Sequence, residues 1–556
     1  MKNRYYLITF FFLVACLQHD GCSSQAPGDS AKEPSKIMTL TQPLKTKYED
    51  LVELFKEWRE FQKPRLTDGV PDYTSSALKR QYQDLQVYRR RLAAIDSSSW
   101  PTAQRIDYRL VQAEMNGLDF DHRVMRPWSR NPCFYVVINP DPPEKFHEGS
   151  EVEGVLHVPA MPITGKDLPE FRMKLQAIPK LLAQAKVNLT EDAKDLWFLG
   201  IRMKKKESAI LESLIQMLIK HHPALVSDAQ RAKSAVDGFR VWLEEKSKGM
   251  RAPSGIGIDN YNWYMKNVHL VPYTFEEQMV LIERELNRAT AFLKIEENRN
   301  RKLAPQQIVS SAAEFRRRFE EAAKGLMEFL GREEIYSVPV WLHVGPFEGE
   351  FITETGGRDF FTQIEYHDPL AMRCHGTHTM DDLREEHDTR VRPIRGLASL
   401  YNIWDTRAEG LATAHEEMML QAGLFDNRPH SKELIYILLA NRAARALASL
   451  KMQSNDFSLE DGIKYSVEWT PRNWLPANGD FVYDDLRLYL LQPGYGTSYV
   501  IGKIQIDQLM ADRAHQLGDQ FVLKDFMDDF IASGMIPIAL TRWEITGLED
   551  EVKKLN

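Results

Sequence analysis

The amino-acid sequence predicts a mainly α fold, a large multi-helical body with a small β-sheet near residues 336–366. Three observations lead to this prediction. Apolar residues recur at three- and four-residue spacing over most of residues 41–330, which indicates amphipathic helices. Residues 336–366 instead hold β-branched and aromatic runs between glycine-containing turns, which is the pattern of short strands. After residue 366 the helical spacing resumes and continues to the C-terminus.

The helical spacing is clearest in two stretches of the N-terminal half. Each stretch places its apolar residues on one face of a helix, with charged residues between them. The two stretches are Leu51-Leu54-Phe55-Trp58-Phe61 and Leu211-Leu214-Ile215-Leu218-Ile219. Proline-rich breaks at residues 132–143 and around Pro253 predict crossings between groups of helices.

The predicted sheet is based on two runs of strand-forming residues. They are Val338-Pro339-Val340-Trp341-Leu342-His343-Val344 and Asp359-Phe360-Phe361-Thr362-Gln363-Ile364. We therefore divide the body of the chain into an N-terminal helical region, residues 41–335, and a second region, residues 336–556. The second region combines the small sheet with further helices and holds the polar residues discussed below.

The N-terminus has the features of a bacterial lipoprotein signal. Basic residues precede an apolar run over residues 5–15, and this run is too short to span a bilayer. Leu13-Val14-Ala15-Cys16 is the small-residue pattern at which such signals are cut. We expect residues 1–15 to be removed and Cys16 to carry the acyl chains that stable membrane attachment needs. An ordinary secretory signal is the alternative interpretation.

Residues 17–36 are rich in Ser, Asp, Gly and Pro, which predicts a flexible tether. We therefore assign residues 16–40 to a lipidated N-terminus and this tether. The expected location is therefore the cell envelope, with the membrane as a partner through the lipid anchor. Leu17 after the anchor cysteine favours the outer membrane, with the body facing the periplasm or the cell surface.

Charge and cysteine content exclude two classes of protein. The chain has 71 basic and 79 acidic residues, a net charge of -8, and no basic stripe, so nucleic acid is not an expected partner. With Cys16 lipidated, three cysteines remain and none forms a CxxC pair. A disulfide scaffold or a cysteine-ligated zinc site is therefore not expected.

Ionisable residues concentrate between residues 365 and 417. His375 and His378 are three apart and Asp382 follows four residues later, so a helix would bring these groups to one face. Imidazole and carboxylate groups are suitable ligands for zinc. Neither histidine begins an H-E-x-x-H motif, however, so the usual general base is missing. Solvated or structurally hydrogen-bonded histidines are the alternative.

A second acidic segment follows in a stretch with helical spacing. Glu409 and Glu416 are seven residues apart and therefore lie on one helix face. If that face points into the core, each carboxylate needs a metal ion or an arginine as partner, because an unpaired buried charge is costly. A surface helix with its acidic residues in water is the alternative.

Several separated blocks, in the same order, resemble the bacterial domain-of-unknown-function 885 family over most of the chain. The blocks are Arg105-Ile106-Asp107-Tyr108-Arg109-Leu110, Gly257-Ile258-Asp259-Asn260-Tyr261-Asn262-Trp263-Tyr264 with Pro272-Tyr273-Thr274, Glu409-Gly410-Leu411-Ala412 with Glu416-Glu417-Met418-Met419, Gly423-Leu424-Phe425-Asp426, Arg442-Ala443-Ala444-Arg445, Pro493-Gly494 with Ser498-Tyr499 and Gly502-Lys503, and residues 534–537.

The resemblance implies a helical, zinc-metallopeptidase-like fold with ligands from two motifs. The second motif, E-G-W-A in the family, is present as Glu409-Gly410-Leu411-Ala412. The first, H-E-x-x-P-G-H-H, is altered to Ala371-Met372-Arg373-Cys374-His375-Gly376-Thr377-His378, which lacks the leading H-E pair. The implied zinc ligands are His375, His378 and Glu409, with an open fourth position.

Other residues would complete the site that the resemblance implies. Asp381, Asp382 or Glu416 would act as base or support a ligand. Tyr499 would donate to a developing oxyanion. Two arginines on one helical turn, Arg442 and Arg445, would bind a substrate carboxylate, although structural ion pairing is an equal alternative.

Our leading hypothesis is a divergent zinc-dependent hydrolase of the cell envelope that acts on peptides or other small extracytoplasmic substrates. The first alternative is a non-peptidase enzyme on the same fold, with histidine acid and base chemistry on a substrate such as a carbohydrate. The second is a binding lipoprotein without catalytic activity.

Overall fold

The computed structural model describes residues 47–139, 156–346, 351–353 and 357–556. The helices of the N-terminal half are α1 (Tyr48–Phe61), α2 (Ser75–Ala93), α3 (Thr102–Phe120), α4 (Pro127–Arg130), α5 (Leu168–Asn188), α6 (Lys194–His221), α7 (Val226–Ser247), α8 (Ile258–Asn267), α9 (Phe275–Asn300) and α10 (Ala312–Arg332).

The C-terminal half is also helical. Its helices are α11 (Phe360–His367), α12 (Pro369–Arg373), α13 (Thr377–His387), α14 (Asp405–Gln421), α15 (Pro429–Gln453), α16 (Leu459–Trp469), α17 (Asp480–Leu491), α18 (Tyr495–Leu517), α19 (Leu523–Ala532), α20 (Ile538–Thr546) and α21 (Asp550–Lys554). The prediction of a mainly α fold is therefore confirmed.

The amphipathic helices predicted for the N-terminal half are also confirmed. In α1 the buried residues are Leu51, Leu54, Phe55 and Trp58, the face that the sequence spacing indicates. In α6 most of the predicted face is buried as well, with Leu211, Leu214, Ile215 and Leu218, whereas Ile219 is 52% exposed. The break around Pro253 lies, as expected, in the connection between α7 and α8.

The predicted position of the β-sheet is wrong. The described residues hold two short strand pairs elsewhere: β1 (Leu66–Thr67) with β2 (Val70–Pro71), antiparallel, and β3 (Ile138–Asn139) with β4 (Leu156–His157), parallel. The described residues between 336 and 346 form neither helix nor strand, and the run after Asp359 is helix α11.

Two local features explain this difference. Pro339 lacks the amide hydrogen that a strand ladder needs. The Asp359 side chain accepts a hydrogen bond from the backbone N–H of Thr362 at 2.8 Å and caps the N-terminus of α11. A short apolar run fits a buried helix as well as a strand, and here the cap favours the helix.

The core consists mainly of two large clusters of buried side chains. Each combines residues from before and after residue 336. Helix α15 lies between these clusters and contributes to both, and almost every side chain from Glu433 to Gln453 is buried. Helix α14, one of its neighbours, is similarly buried along most of its length. The polar residues of α14 and α15 therefore lie inside the protein, where each charge needs a partner.

Helices α14 and α18 approach each other closely because both have a glycine at the contact. A Cβ atom on Gly410 would lie 2.6 Å from Gly502 Cα, and one on Gly502 would lie 2.2 Å from the carbonyl oxygen of Thr406. Only glycine, whose side chain is a single hydrogen atom, fits at this distance. The contact places the start of α18 directly beside Glu409.

Candidate metal centre

His375 and His378 lie at the junction of two helices rather than within one. Helix α12 begins at Pro369, with Asp368 as its cap, and ends at Arg373. His375 lies in the turn that follows, and His378 in the first turn of α13. His415 holds this turn in place, since its Nδ1 donates to the carbonyl oxygen of Cys374 at 2.7 Å. Burial lowers the pKa of His415 to about 4, so this histidine is neutral near pH 7.

Glu409 reaches the histidines from α14. Its side chain is 9% exposed, and its Oε1 accepts a hydrogen bond from the Tyr495 hydroxyl at 2.7 Å. Tyr495 is the first residue of α18 and follows Gly494, whose φ of +100° is accessible to glycine without strain. The close contact between α14 and α18 therefore fixes one oxygen of Glu409 and leaves the other directed at the histidines.

Three ligand atoms meet at one point. Glu409 Oε2 lies 3.6 Å from His375 Nε2 and 3.4 Å from His378 Nε2, and all three atoms lie within 4.8 Å of one another. In a tetrahedral zinc site with bonds of about 2.0–2.1 Å, neighbouring ligand atoms stand about 3.3 Å apart. Within the described part of the chain, no group forms a hydrogen bond of normal geometry to Glu409 Oε2. The donor set, its spacing and this buried oxygen fit a zinc ion.

A carboxylate behind His375 fixes the orientation of its ring. His375 Nδ1 lies 2.9 Å from Glu416 Oε1, and a carboxylate accepts only, so Nδ1 carries the proton. The lone pair of His375 is then on Nε2, which faces Glu409. Arg442 holds Glu416 with both terminal nitrogens, at 2.5 and 2.7 Å. Histidine ligands in metal sites commonly have such a carboxylate partner.

The electrostatics of the cluster favour charged carboxylates. Burial by itself raises the pKa of Glu409, but the adjacent side chains of His378 and His375 hold it well below its usual range. Burial by itself lowers the pKa of His378, whereas the adjacent Glu409 charge raises it overall. Glu416 also has a lowered pKa, because Arg442 and His375 outweigh the effect of burial. The cluster thus holds negative charge in place for a cation.

The three candidate bases differ in their surroundings. Asp381 forms ion pairs with Arg407 at 3.0 Å and Arg384 at 3.1 Å, so it joins α13 to α14. Glu416 supports His375, as described above. Asp382 is buried one turn after His378, and its charge contributes to the raised pKa of that histidine.

The two arginines of α15 are buried and paired. Arg442 uses both terminal nitrogens on Glu416. Arg445 donates to the Tyr489 hydroxyl at 3.0 Å and forms an ion pair with Asp485. Both guanidinium groups flank the ring of Tyr499, with Cζ 5.9 and 5.7 Å from its centroid. Burial and the Glu409 charge raise the pKa of Tyr499 well above its usual range, so the hydroxyl stays protonated.

Tyr495 was not predicted from the sequence as a partner of Glu409. A signal was present, because Tyr495 lies four residues before Tyr499 and therefore on the same face of α18. The predicted lipidation site, Cys16, and the tether lie outside the described residues. Among the helices of the described ranges, none combines the length and apolarity of a transmembrane segment.

Comparisons with known proteins agree with the family resemblance. Residues 385–545 match the family described as "Bacterial protein of unknown function (DUF885)". This range includes Glu409, Glu416 and both arginines, and it begins after His378. A search of curated proteins finds no match.

Two solved structures share the fold. One is a protein from Shewanella oneidensis, described as a lipoprotein of unknown function, with a TM-score of 0.67 and 14% identity over 89% of this chain and 97% of the other. The second, described as a lipoprotein from Colwellia psychrerythraea, has a TM-score of 0.63 and 14% identity over 90% and 97%. The resemblance to the domain-of-unknown-function 885 family is thus confirmed by a direct match over residues 385–545, and the fold is shared with these two proteins over nearly their full length.

Proposed function

We propose that the protein is a zinc-dependent hydrolase of the cell envelope that cleaves peptides. The observation that carries this proposal is the meeting of His375 Nε2, His378 Nε2 and Glu409 Oε2, with no hydrogen bond of normal geometry to that oxygen within the described ranges. Peptides are the proposed substrates because the sequence motifs resemble those of helical zinc peptidases.

His375, His378 and Glu409 would hold the metal. Bound there, a zinc ion would supply Lewis-acid polarisation of a carbonyl group and would lower the pKa of water in the site. Glu416 and Arg442 keep the lone pair of His375 on Nε2. Tyr495 keeps Glu409 from turning away, through its hydrogen bond to Oε1.

Two further residues would act on the reacting groups. Tyr499 stays protonated and would donate a hydrogen bond to the oxygen on which negative charge develops. Asp382 would accept a proton in place of the glutamate of the missing H-E pair. Asp381 and Glu416, each in an ion pair with an arginine, are the other candidate bases. Such proton transfer typically contributes about 10²–10⁴-fold to a rate.

Turnover of a peptide library by full-length protein in detergent tests this proposal. We expect cleavage that a chelator abolishes and added zinc restores. Glu409→Gln should lower the rate strongly even with zinc added, because it removes one of three protein ligands. Glu320→Gln, on the exposed face of α10, is the matched control and should leave the rate unchanged.

The alternative outcomes of this experiment are informative. Cleavage that continues in the chelator would contradict the zinc mechanism. It would instead favour acid and base chemistry by His378, whose pKa is raised beside Glu409. The absence of cleavage in a zinc-loaded protein would contradict peptide hydrolysis.

The proposed location is the outer membrane, with the body facing the periplasm or the cell surface. The signal pattern before Cys16 supports it, as do the two solved structures described as lipoproteins. Labelling of cells with radioactive palmitate tests the anchor. We expect label in the wild-type protein and none in Cys16→Ser, while label in the variant would contradict lipidation at this cysteine.

A further inference from the structure

Arg445 has one edge of its guanidinium group without acceptors. The residue is 1% exposed, and its Nη1 contacts Tyr489 and Asp485. Neither Nε nor Nη2 has a hydrogen-bond partner among the described residues. A buried donor without an acceptor is unfavourable, and more so when the group is charged. An arginine in this state is therefore suited to an acceptor that arrives with a ligand.

The Nε and Nη2 edge of the Arg445 guanidinium favours carboxylates as ligands. Nε–H and one N–H of the guanidinium terminus point the same way, and two parallel N–H groups match the two oxygens of a carboxylate. Arg442 differs, because both of its terminal nitrogens are already used by Glu416. Of the two arginines on α15, only Arg445 thus offers a bidentate edge to a ligand.

The residues around Arg445 indicate the chemistry of the rest of the ligand. Its Cζ lies 5.4 Å from the ring centre of Phe481, 5.9 Å from that of Phe361 and 5.7 Å from that of Tyr499. The Phe361 and Phe481 rings meet edge to face at 5.0 Å. Each of the three aromatic residues is partly exposed. Aromatic walls favour an apolar group next to the carboxylate.

The site lies next to the candidate metal centre. The ring centre of Tyr499 lies 5.7 Å from Arg445 Cζ and 5.9 Å from Arg442 Cζ, and Arg442 Nη2 is 3.1 Å from His375 Nδ1. Tyr495, whose hydroxyl donates to Glu409, has its ring centre 6.0 Å from that of Tyr499. A group bound by Arg445 would therefore lie near the candidate metal centre.

We propose that Arg445 is a carboxylate-binding residue for peptides whose carboxylate belongs to an apolar residue. This inference deepens the proposed hydrolase, since a free C-terminal carboxylate on Arg445 would place the last peptide bond toward His375 and His378. An acidic side chain is the second source of the same chemistry.

Binding of small probes tests the proposal without requiring turnover. Calorimetry would compare N-acetyl-phenylalanine with its amide, a neutral molecule of nearly the same size, on full-length protein in detergent. We expect the acid to bind about 10–100-fold more tightly, the equivalent of a bidentate charged hydrogen bond. N-acetyl-aspartic acid α-amide, whose only carboxylate is in the side chain, distinguishes the two sources. Tighter binding of this probe than of N-acetyl-phenylalanine would overturn the assignment to a terminal carboxylate.

The same titrations after chelation separate this proposal from the zinc hydrolase. If the acid still binds more tightly than the amide in the presence of the chelator, the preference is due to Arg445. If the two then bind equally, the preference is due to the metal, and this result overturns the proposal. Arg445→Lys keeps the positive charge beside Asp485 but removes the two parallel N–H groups of the guanidinium. This variant should lose most of the preference for the acid over the amide. Arg487→Lys, at a partly exposed position of α17, is the control and should retain it. Equal binding of acid and amide by the wild-type protein would also overturn the proposal.

Discussion

At the scale of single residues, the proposed metal centre depends on which nitrogen of His375 carries the proton. Glu416 accepts from Nδ1 at 2.9 Å, and Arg442 prevents Glu416 from turning away. These contacts leave Nε2 as the only possible ligand atom of His375. The sequence predicts that Glu409 and Glu416 share a helix face, and both do contact His375.

Glu416→Gln should weaken metal binding by about 10–100-fold, the usual effect of removing the carboxylate behind a histidine ligand. The amide can rotate and present its NH₂ group, so it no longer fixes the proton on Nδ1. Titration of the zinc-loaded protein with a competing chelator measures the change. Glu320→Gln is again the control, and an unchanged affinity in Glu416→Gln would contradict the role of this carboxylate.

Glu365 gives a prediction about pH and stability. Burial raises its pKa from 4.5 to about 7, although Arg373 opposes the shift and Asp359 adds to it. A carboxyl with a higher pKa in the folded state binds more protons there, so its contribution to stability falls as the pH rises from about 4.5 to 7.

Glu365→Gln removes this titration. We expect the difference in the free energy of unfolding, variant minus wild type, to rise by on the order of 3 kcal/mol as the pH increases from 4.5 to 8. Urea denaturation at several pH values measures the difference. A difference between the two proteins that does not change with pH would contradict a raised pKa for Glu365.

At the scale of elements, the packing of α14 on α18 positions the candidate site. Gly410 follows Glu409 directly, and its contact with Gly502 lets Tyr495 reach the glutamate. The motif Glu409-Gly410 thus combines a ligand with the glycine that allows its partner helix to approach.

Gly410→Ala should lower the free energy of unfolding by about 1–3 kcal/mol, because its methyl group would meet the backbone of Gly502. Thermal denaturation measures the loss. Gly238→Ala is the matched control, since this glycine is also within a helix but nothing lies within 4 Å of an added Cβ. The control should gain about 0.5–1 kcal/mol from helix propensity. Equal effects of the two substitutions would contradict the close contact.

Part of the fold could be predicted from the sequence because periodic apolar spacing reports directly on helices. The face of α1 with Leu51, Leu54 and Trp58 is an example. The prediction of a sheet near residues 336–366 was wrong because a short apolar run fits a helix as well as a strand. Here the cap at Asp359 favours the helix. The meeting of His375 with Glu409 depends on contacts between helices far apart in the chain, which spacing alone does not specify.

At the scale of the whole molecule, the polar site is surrounded by a helical body whose main core clusters include side chains from both halves of the chain. Two solved structures share this body at 14% identity, so the fold persists although most residues differ. A buried set of carboxylates, arginines and histidines on α13, α14 and α15 is costly without full pairing. A bound cation would satisfy the one carboxylate oxygen of the cluster that faces both histidines.

The most direct test of the central claim is the metal content of full-length protein purified without added metal, measured by inductively coupled plasma mass spectrometry. We predict one zinc per chain in the wild type and in the surface control His515→Ala. We predict less than one tenth of that amount in His378→Ala. A wild-type protein without zinc, or a His378→Ala variant that retains a full equivalent, would contradict a metal centre at His375, His378 and Glu409.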